Sequence, residues 1–192
     1  MSAKMIEIRW HGRGGQGAKT AALLFAETVM ATGMYIQAFP EYGPERMGAP
    51  VQSFNRISED PIVIHSGIKN PNYVVILDSS LMESVPITDG IDKTGKVIVN
   101  TSLSTSEIAE RLDIDTSQIY VVNASKIALE TIGKDIPNTP MLGALLKVIG
   151  TLDINGVLKD INFKLMAKFR HKPGIVEGNL ASIKMAFDKV KN

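Results

Sequence analysis

Met5-Ile-Glu-Ile-Arg-Trp-His-Gly-Arg-Gly-Gly-Gln-Gly-Ala18 is the stretch of sequence that decides the fold class. Apolar and polar residues alternate over residues 5–11, which predicts a β-strand. The strand runs directly into a glycine-rich segment, residues 12–17, called the glycine loop below. Apolar residues then recur at helical spacing, at Ala18, Ala22, Phe25 and Val29. With a further strand expected over residues 34–39, this β-loop-α-β opening is typical of a parallel sheet.

The remainder of the chain predicts more strands with helices between them. An alternating segment over residues 51–57, with a possible short partner over 61–65, predicts an antiparallel excursion, because the gaps are too short for crossover helices. Apolar runs at residues 73–77, 97–99 and 119–122 suit parallel strands that are covered on both faces. We therefore expect one domain over residues 1–192, an α/β fold of three αβα layers, with a mostly parallel sheet and an antiparallel excursion around residues 50–65.

Capping patterns predict where several helices begin. Ser104 and Glu107 have the spacing of a capping box. Asn123 is expected to cap a helix that ends at Gly133. Thr139 and Pro140 suit the N-cap and first position of a largely apolar helix, which should be buried.

Composition excludes several classes of function. The 192 residues include 21 Lys and Arg against 20 Asp and Glu, a net charge of +1, which argues against broad electrostatic capture of nucleic acid or an anionic membrane. There is no cysteine, so this chain cannot supply thiolates to zinc or to an iron–sulfur cluster. No apolar run approaches the roughly 20 residues of a membrane-spanning helix and the N-terminus lacks a signal-peptide core, which predicts a cytoplasmic protein.

The glycine loop admits three interpretations. Gly12, Gly14 and Gly17 match the dinucleotide-binding pattern, and Glu41 is then a candidate for the acid that binds the ribose. A P-loop fits less well, because Ala18 stands where lysine is required and Lys19 comes one place late. The third interpretation is structural: the glycines only allow close packing of strand and helix.

A second loop, residues 40–50, is turn-rich, and its segment 41–48 contains residue types that occur at protein interfaces, although an ordinary solvated loop is the alternative. In an open α/β sheet we expect this loop and the glycine loop to leave the carboxyl ends of neighbouring strands, where ligands bind.

Other candidate sites are sparse. Asp78 follows the apolar run at residues 73–77 and is either an acid for magnesium or the cap of the next helix. His11, His65 and His171 lie far apart and lack metal-ligand spacing. We predict no catalytic side chain and no metal ligand in this chain.

Taken together and in this order, the two loops resemble the gamma subunit of 2-oxoacid:ferredoxin oxidoreductases, most closely that of the pyruvate enzyme (pyruvate synthase). The matching stretches are IRWHGRGGQGAKTAALLFAE, EYGPERMGAPVQSFNRIS, NTPMLGALLK and KPGIVEGNLASIKMAFDKV. The resemblance covers nearly the full length, and the pairing of the two motifs is more specific than either motif alone.

The resemblance implies a subunit of a cytoplasmic, multisubunit (heterotetrameric) oxidoreductase of anaerobic metabolism. Such complexes decarboxylate pyruvate on thiamine diphosphate, transfer the acetyl group to coenzyme A and pass electrons through iron–sulfur clusters to ferredoxin. The thiamine diphosphate and the clusters are held mainly by the alpha, beta and delta subunits, so we expect no cofactor on this chain alone.

Within such a complex, our hypothesis is that the glycine loop binds the cofactor or co-substrate, coenzyme A, through Arg13, Gly14, Gly15, Gln16 and Gly17. Backbone N–H groups at the start of a helix, with an arginine nearby, can donate hydrogen bonds to phosphate oxygens. The second loop is expected to contact the active site or a partner subunit through Glu41, Tyr42, Gly43, Pro44, Glu45 and Arg46. The alternatives are a stand-alone Rossmann-like nucleotide-binding enzyme and a non-catalytic scaffold.

Overall fold

The computed structural model describes residues 5–41 and 47–192. Within these residues, six strands form one sheet in the order β2-β3-β1-β4-β5-β6. The strands are β1 (Ile6–Arg13), β2 (Tyr35–Pro40), β3 (Pro50–Ser58), β4 (Tyr73–Ile76), β5 (Lys96–Asn100) and β6 (Ile119–Val122). The helices are α1 (Ala18–Met30), α2 (Thr105–Leu112), α3 (Ala124–Ile132), α4 (Asn138–Ile149), α5 (Ile154–Lys168) and α6 (Pro173–Lys189).

The sheet is mixed. Strands β1, β4, β5 and β6 are parallel neighbours, whereas β3 pairs antiparallel with both β1 and β2. The mostly parallel sheet with one antiparallel excursion is therefore confirmed. We expected β1 and β2, the first two strands in the sequence, to be neighbours in the sheet. That expectation is wrong, because β3 lies between them.

The expected short strand over residues 61–65 is also wrong. A strand has only two hydrogen-bonding edges, and both edges of β3 are occupied by β1 and β2. Side chains contact this segment instead. The buried Arg56 guanidinium donates to the Ile64 and Gly67 carbonyls at 3.3 Å, and Gln37 Nε2 donates to the Ile62 carbonyl at 3.4 Å. Residues 59–70 therefore form a loop anchored by side chains.

Helices and helical turns cover both faces of the sheet, which confirms the three layers. The larger apolar core joins the first face to α1, α3, α4, α5 and α6, with Trp10, Phe25 and Leu145 fully buried. The smaller core joins the second face to α2 and to a 3₁₀ turn over Ser79–Glu83, through Leu81 and Ile108. Among the described residues, no helix is both long and apolar enough to cross a bilayer.

Two of the three predicted helix starts are confirmed. Ser104 and Glu107 form the capping box of α2, and the Asn123 side chain caps α3, which ends at Gly133. The prediction for Thr139 is wrong, since α4 begins at Asn138 with Pro137 as its N-cap. The fixed backbone angle φ of Pro137 already suits a helix, so the helix begins at Asn138, one residue before Thr139. Helix α4 is largely buried, as predicted.

A crevice forms where the connections of two neighbouring strands diverge. After β1 the chain passes to α1 on the first face, and after β4 it passes to the 3₁₀ turn on the second face. In open α/β sheets this divergence at the carboxyl ends of parallel strands is the usual position of a ligand site. The glycine loop lies at this point.

Candidate functional site at the glycine loop

The glycine loop bends sharply between β1 and α1. Gly15 has φ +99° and Gly17 has φ +82°, values that side-chain-bearing residues rarely adopt. Gly15 is exposed with open space around it, whereas a Cβ on Gly17 would lie 2.6 Å from Asn138 Nδ2 at the start of α4. Gly17 is the N-cap of α1 and has no side chain with which to satisfy the N–H groups of the first helical turn. The loop therefore presents backbone donors at the positive end of a helix dipole.

Four side chains form a hydrogen-bonded group beside the loop, called here the Asp78 network: Arg13, Gln16, Asp78 and Ser80. Asp78 Oδ2 accepts from Gln16 Nε2 at 2.8 Å and lies 3.2 Å from Arg13 Nε. Asp78 Oδ1 accepts from the Ser80 N–H at 3.0 Å and from the Ser80 hydroxyl at 2.7 Å. Gln16 Oε1 in turn accepts from the Arg13 N–H at 2.8 Å. The network joins the end of β1 to the end of β4.

The end of the second loop contacts the glycine loop directly. Gly14 N–H donates to the Ala49 carbonyl at 2.9 Å, and Gly48 N–H donates to the Gly14 carbonyl at 3.1 Å. Arg13 Nη1 adds a bond of 3.0 Å to the Gly48 carbonyl. The two loops thus come together because β3, which the second loop enters, is the neighbour of β1, and not through the carboxyl ends of neighbouring strands as expected.

The charges of the Asp78 network balance one another. Burial opposes ionisation of Asp78, but hydrogen bonds from Ser80 and Gln16 and the charge of Arg13 outweigh it, so that the pKa of this carboxyl lies below its usual value. The Arg13 side chain keeps 32% of its surface exposed. This exposed part of the side chain is accessible to a ligand or a partner.

A polar cavity of about 330 Å³ opens beside the network, at the carboxyl ends of β4, β5 and β6. Its lining includes two carboxylates, and none of the described residues that line it is a lysine or an arginine. Such a cavity favours neutral, hydrogen-bonding groups over phosphate. Its side chains include Gln16, Asp78, Asn100, Thr101, Ser125 and Asp135.

His11 lies immediately before the loop and is buried. Burial, followed by the neighbouring charge of Arg9, lowers the pKa of His11 to about 3. Its Nε2 accepts a hydrogen bond of 3.1 Å from Arg9 Nε, and Arg9 also donates to the Ile87 and Asp89 carbonyls. His11 is therefore a neutral structural side chain at physiological pH. The other two histidines, His65 and His171, are exposed.

The structure brings some of the predicted site residues together and leaves others apart. Arg13, Gly14 and Gln16 take part in the contacts just described, and Gly15 and Gly17 shape the loop. Glu41 is exposed at the end of β2, where its N–H donates to the Gln52 carbonyl at 3.0 Å. The predictions for Tyr42, Gly43, Pro44, Glu45 and Arg46 fall outside the described residues.

Sequence reasoning missed the part that Asp78 and Ser80 take in this site. Asp78 does cap the 3₁₀ turn, which is one of its two predicted roles. Its second oxygen contacts side chains 62 and 65 positions away in the sequence, at Gln16 and Arg13. A polar residue directly after a buried strand was the available signal.

The two nucleotide-binding interpretations of the loop lose support. A dinucleotide fold needs an acid on the strand next to β1, but Glu41 follows β2, which lies beyond β3. In a P-loop protein Asp78 would serve magnesium, but here both of its oxygens are engaged by protein donors. Among the described residues, no group of three or more His, Cys, Asp or Glu side chains is placed to hold a metal ion.

Comparisons with known proteins agree along the whole chain. The family described as pyruvate ferredoxin/flavodoxin oxidoreductase matches residues 7–189. Pyruvate synthase subunit PorC of Thermotoga maritima is 40% identical over 191 residues, which is 100% of this chain and 97% of that protein. The pyruvate/ketoisovalerate oxidoreductases common subunit gamma of Pyrococcus abyssi is 45% identical over 187 residues, which is 97% of this chain and 98% of that one. The crystal structure of pyruvate oxidoreductase subunit PORC from Thermotoga maritima has a TM-score of 0.84 and 38% identity, and the match covers 98% of each chain.

Proposed function

The chain belongs to the pyruvate ferredoxin/flavodoxin oxidoreductase family, and from this premise we propose that it is the gamma subunit of a cytoplasmic pyruvate:ferredoxin oxidoreductase (pyruvate synthase). The complex converts pyruvate and coenzyme A to acetyl-coenzyme A and CO₂ and transfers the electrons to ferredoxin. The similarity to gamma-type subunits over the full chain, at 40–45% identity, supports this assignment.

The chemistry of the side chains supports a division of labour between subunits. The chain contains no cysteine, so it does not fit an iron–sulfur cluster as a thiolate ligand. In our proposal companion alpha, beta and delta subunits hold the clusters and thiamine diphosphate, the group that supplies the carbanion chemistry. This chain contributes a binding surface and contacts between subunits.

We place coenzyme A at the glycine loop. Its phosphates would accept hydrogen bonds from backbone N–H groups near Gly15 and Gly17, at the start of α1. The partly exposed Arg13 side chain adds a positive charge. The single observation that carries this placement is the position of the loop, in the crevice between β1 and β4 with Gly15 exposed. The adjacent cavity contains two carboxylates, so we assign the phosphates to the Arg13 side and a neutral part of the ligand to the cavity.

We assign the second loop to partner contact at the active site, through Glu41, Tyr42, Gly43, Pro44, Glu45 and Arg46. The exposure of Glu41 and of Met47, which is 94% exposed, supports this role on either side of the segment. Choice among 2-oxoacids is left to the companion subunits. The name of the Pyrococcus abyssi relative, a gamma subunit common to pyruvate and ketoisovalerate oxidoreductases, supports that separation.

The placement of coenzyme A is tested with Gly15→Val and a matched control, Gly33→Val. Both glycines are exposed and have positive φ, and at both a Cβ would meet no atom within 4 Å, so the substitutions impose a similar backbone strain. Gly33 lies between α1 and β2, at the amino end of β2, whereas the glycine loop lies at the carboxyl end of β1, at the other end of the strands. In the purified complex we expect Gly15→Val alone to raise the KM for coenzyme A, by about tenfold if one charge-assisted hydrogen bond is lost.

Release of CO₂ from carboxyl-labelled pyruvate without coenzyme A separates the two half-reactions. We expect this release to be unchanged in Gly15→Val, because decarboxylation takes place on other subunits. If both half-reactions fall equally, or if Gly33→Val has the same effect on the KM for coenzyme A, the glycine loop does not bind the co-substrate.

A further inference from the structure

Asp78 is the point at which two segments of the chain meet, the glycine loop and the 3₁₀ turn after β4. One carboxylate oxygen accepts from the Ser80 backbone and hydroxyl and so starts the 3₁₀ turn after β4. The other oxygen accepts from Gln16 at 2.8 Å and lies 3.2 Å from Arg13 Nε. Both oxygens of the carboxylate are therefore occupied by donors from opposite sides of the crevice.

Arg13 extends this connection to the second loop. Arg13 Nε, which forms the ion pair with Asp78, also donates to the Ser80 hydroxyl at 3.3 Å, and Nη2 donates to the same hydroxyl at 2.8 Å. Nη1 donates to the Gly48 carbonyl at 3.0 Å. The backbone pair between Gly14 and residues 48–49 lies directly beside this contact. The orientation of the guanidinium group thus couples the carboxylate of Asp78 to the position where the second loop returns to the sheet.

Local capping does not require this arrangement. Asp115 caps another 3₁₀ turn, Thr116–Gln118, by accepting from the Ser117 N–H at 2.8 Å. Its local contact is therefore equivalent to that of Asp78 with Ser80. Among the hydrogen bonds and ion pairs of the described residues, no contact links Asp115 to the glycine loop. Asp78 differs because its second carboxylate oxygen contacts Gln16 and Arg13 of the glycine loop.

We propose that Asp78 is a positioning residue for the co-substrate site: its carboxylate, acting through Arg13 and Gln16, holds the glycine loop and the returning second loop in one arrangement. This inference rests on the proposed function for the identity of the ligand, coenzyme A. The coupling of the two loops through Asp78 stands apart from that identity and is measured separately.

Asp78→Asn separates the two roles of the side chain. The amide oxygen still accepts from the Ser80 N–H, but the amide N–H₂ then faces Gln16 Nε2 and Arg13 Nε, which are both donors. Turning the Gln16 amide over does not repair the contact, because its N–H₂ would then face the Arg13 N–H. The variant therefore keeps the cap and the Arg13–Ser80 hydrogen bonds, and it loses the bridge made by the carboxylate itself, the Gln16 hydrogen bond and the ion pair with Arg13. Asp115→Asn is the matched control, in which no bridge exists to be lost.

The first measurement is amide hydrogen exchange in the complex, for peptides that contain Gly14 and Gly48. We expect exchange to be about tenfold faster in Asp78→Asn than in wild type, as for the loss of one charge-assisted hydrogen bond, and unchanged in Asp115→Asn. Unchanged exchange at both glycines in Asp78→Asn overturns the proposal.

The second measurement is steady-state kinetics of the same complexes with a redox dye as electron acceptor. We expect Asp78→Asn to raise the KM for coenzyme A about tenfold, with the KM for pyruvate and kcat unchanged. A general structural defect would lower kcat and change both KM values, and that result contradicts a positioning role.

The two hypotheses fail in different ways. If Asp78→Asn speeds exchange at Gly14 and Gly48 while Gly15→Val and Asp78→Asn both leave the KM for coenzyme A unchanged, Asp78 positions the loops but coenzyme A binds elsewhere.

Gln16→Glu is a second variant in case Asp78→Asn does not assemble, because it keeps the acceptor for the Arg13 N–H and loses the donor to Asp78. The same faster exchange is expected there, and its absence rejects the role of the network.

Discussion

Arg13 is the last residue of β1, Asp78 lies just after the parallel neighbour β4, and 3.2 Å separates Arg13 Nε from Asp78 Oδ2. The pair crosses the crevice between the two strand ends, at the position where α/β proteins commonly bind ligands. The Arg13 guanidinium group is held by the Asp78 carboxylate, the Ser80 hydroxyl and the Gly48 carbonyl, while part of the side chain remains exposed. These contacts fix the positive charge of Arg13 between the glycine loop and the second loop.

The ionised Asp78 carboxylate, with its hydrogen bonds from Ser80 and Gln16 and its ion pair with Arg13, predicts a contribution to stability that disappears in acid. The folded-state pKa of Asp78 lies below its unfolded value, so its stabilisation is complete above the unfolded pKa of about 3.9 and is lost as the pH falls through the folded pKa. In urea unfolding of the full chain, we expect the difference in stability between wild type and Asp78→Asn to be constant from pH 6 to 8. It should shrink below about pH 4. A difference that persists undiminished at pH 3 would rule out the ionised carboxylate as its source.

His11 predicts a loss of stability at milder pH. Its folded pKa of about 3 lies below the ordinary histidine value of 6.5, so between these values only the unfolded chain binds the proton, and stability falls as the pH is lowered. From pH 7.5 to 5 this loss amounts to about 2 kcal/mol. His11→Gln can still accept from Arg9 but does not titrate, so its unfolding free energy should fall by about 2 kcal/mol less over this interval. Parallel curves for the two proteins contradict the buried neutral histidine.

Gly17 and Asn138 predict a steric coupling between the glycine loop and α4. Alanine at position 17 meets two penalties, a positive φ and an approach of its Cβ to within 2.6 Å of Asn138 Nδ2. We expect Gly17→Ala to lower the unfolding free energy by about 2–3 kcal/mol, as the sum of backbone strain and overpacking. Adding Asn138→Ala should recover the overpacking part only, roughly 1 kcal/mol or more. Strict additivity of the two substitutions would show that the side chains do not meet.

Gly143 predicts how closely α4 and α6 must pack. A Cβ at this position would lie within 2.1 Å of the Ile183 carbonyl oxygen, a backbone atom that cannot move without displacing α6. We expect Gly143→Ala to destabilise the chain by about 3 kcal/mol or to prevent folding. The matched control is Gly174→Ala, where no atom lies within 4 Å and alanine favours the helix. Thermal unfolding of both variants measures the contrast, and similar melting temperatures contradict the close helix contact.

The order of strands in the sheet marks the limit of what local sequence patterns predict. Alternation, apolar runs and helical spacing located all six strands of the sheet and the helices that follow them, because the burial of each element is reflected in the spacing of its apolar residues. The same patterns misplaced the neighbours of β1 and added a strand over residues 61–65. Strand order depends on which edges are free, and that is settled only when all strands compete for pairing.

The candidate site divides in the same way. The glycines of residues 12–17 and the polar residues after β4 are visible in the sequence, since sharp turns and strand ends demand those residue types. Their mutual contacts are not visible, because Gln16 and Asp78 are 62 positions apart. The family motif associates the two loops in the sequence. The structure shows why they touch: β3, which follows the second loop, pairs with β1.

The sequence by itself determined the α/β class, the chain's inability to supply a thiolate ligand, and the glycine loop that opens α1. Those properties are carried by composition and by residues close together in the chain. Only the tertiary structure decided that Asp78 contacts Gln16 and Arg13, that His11 is buried beside Arg9, and that the second loop returns against Gly14. Each of these depends on contacts between distant segments, whose free energies are set by packing and desolvation in the folded chain.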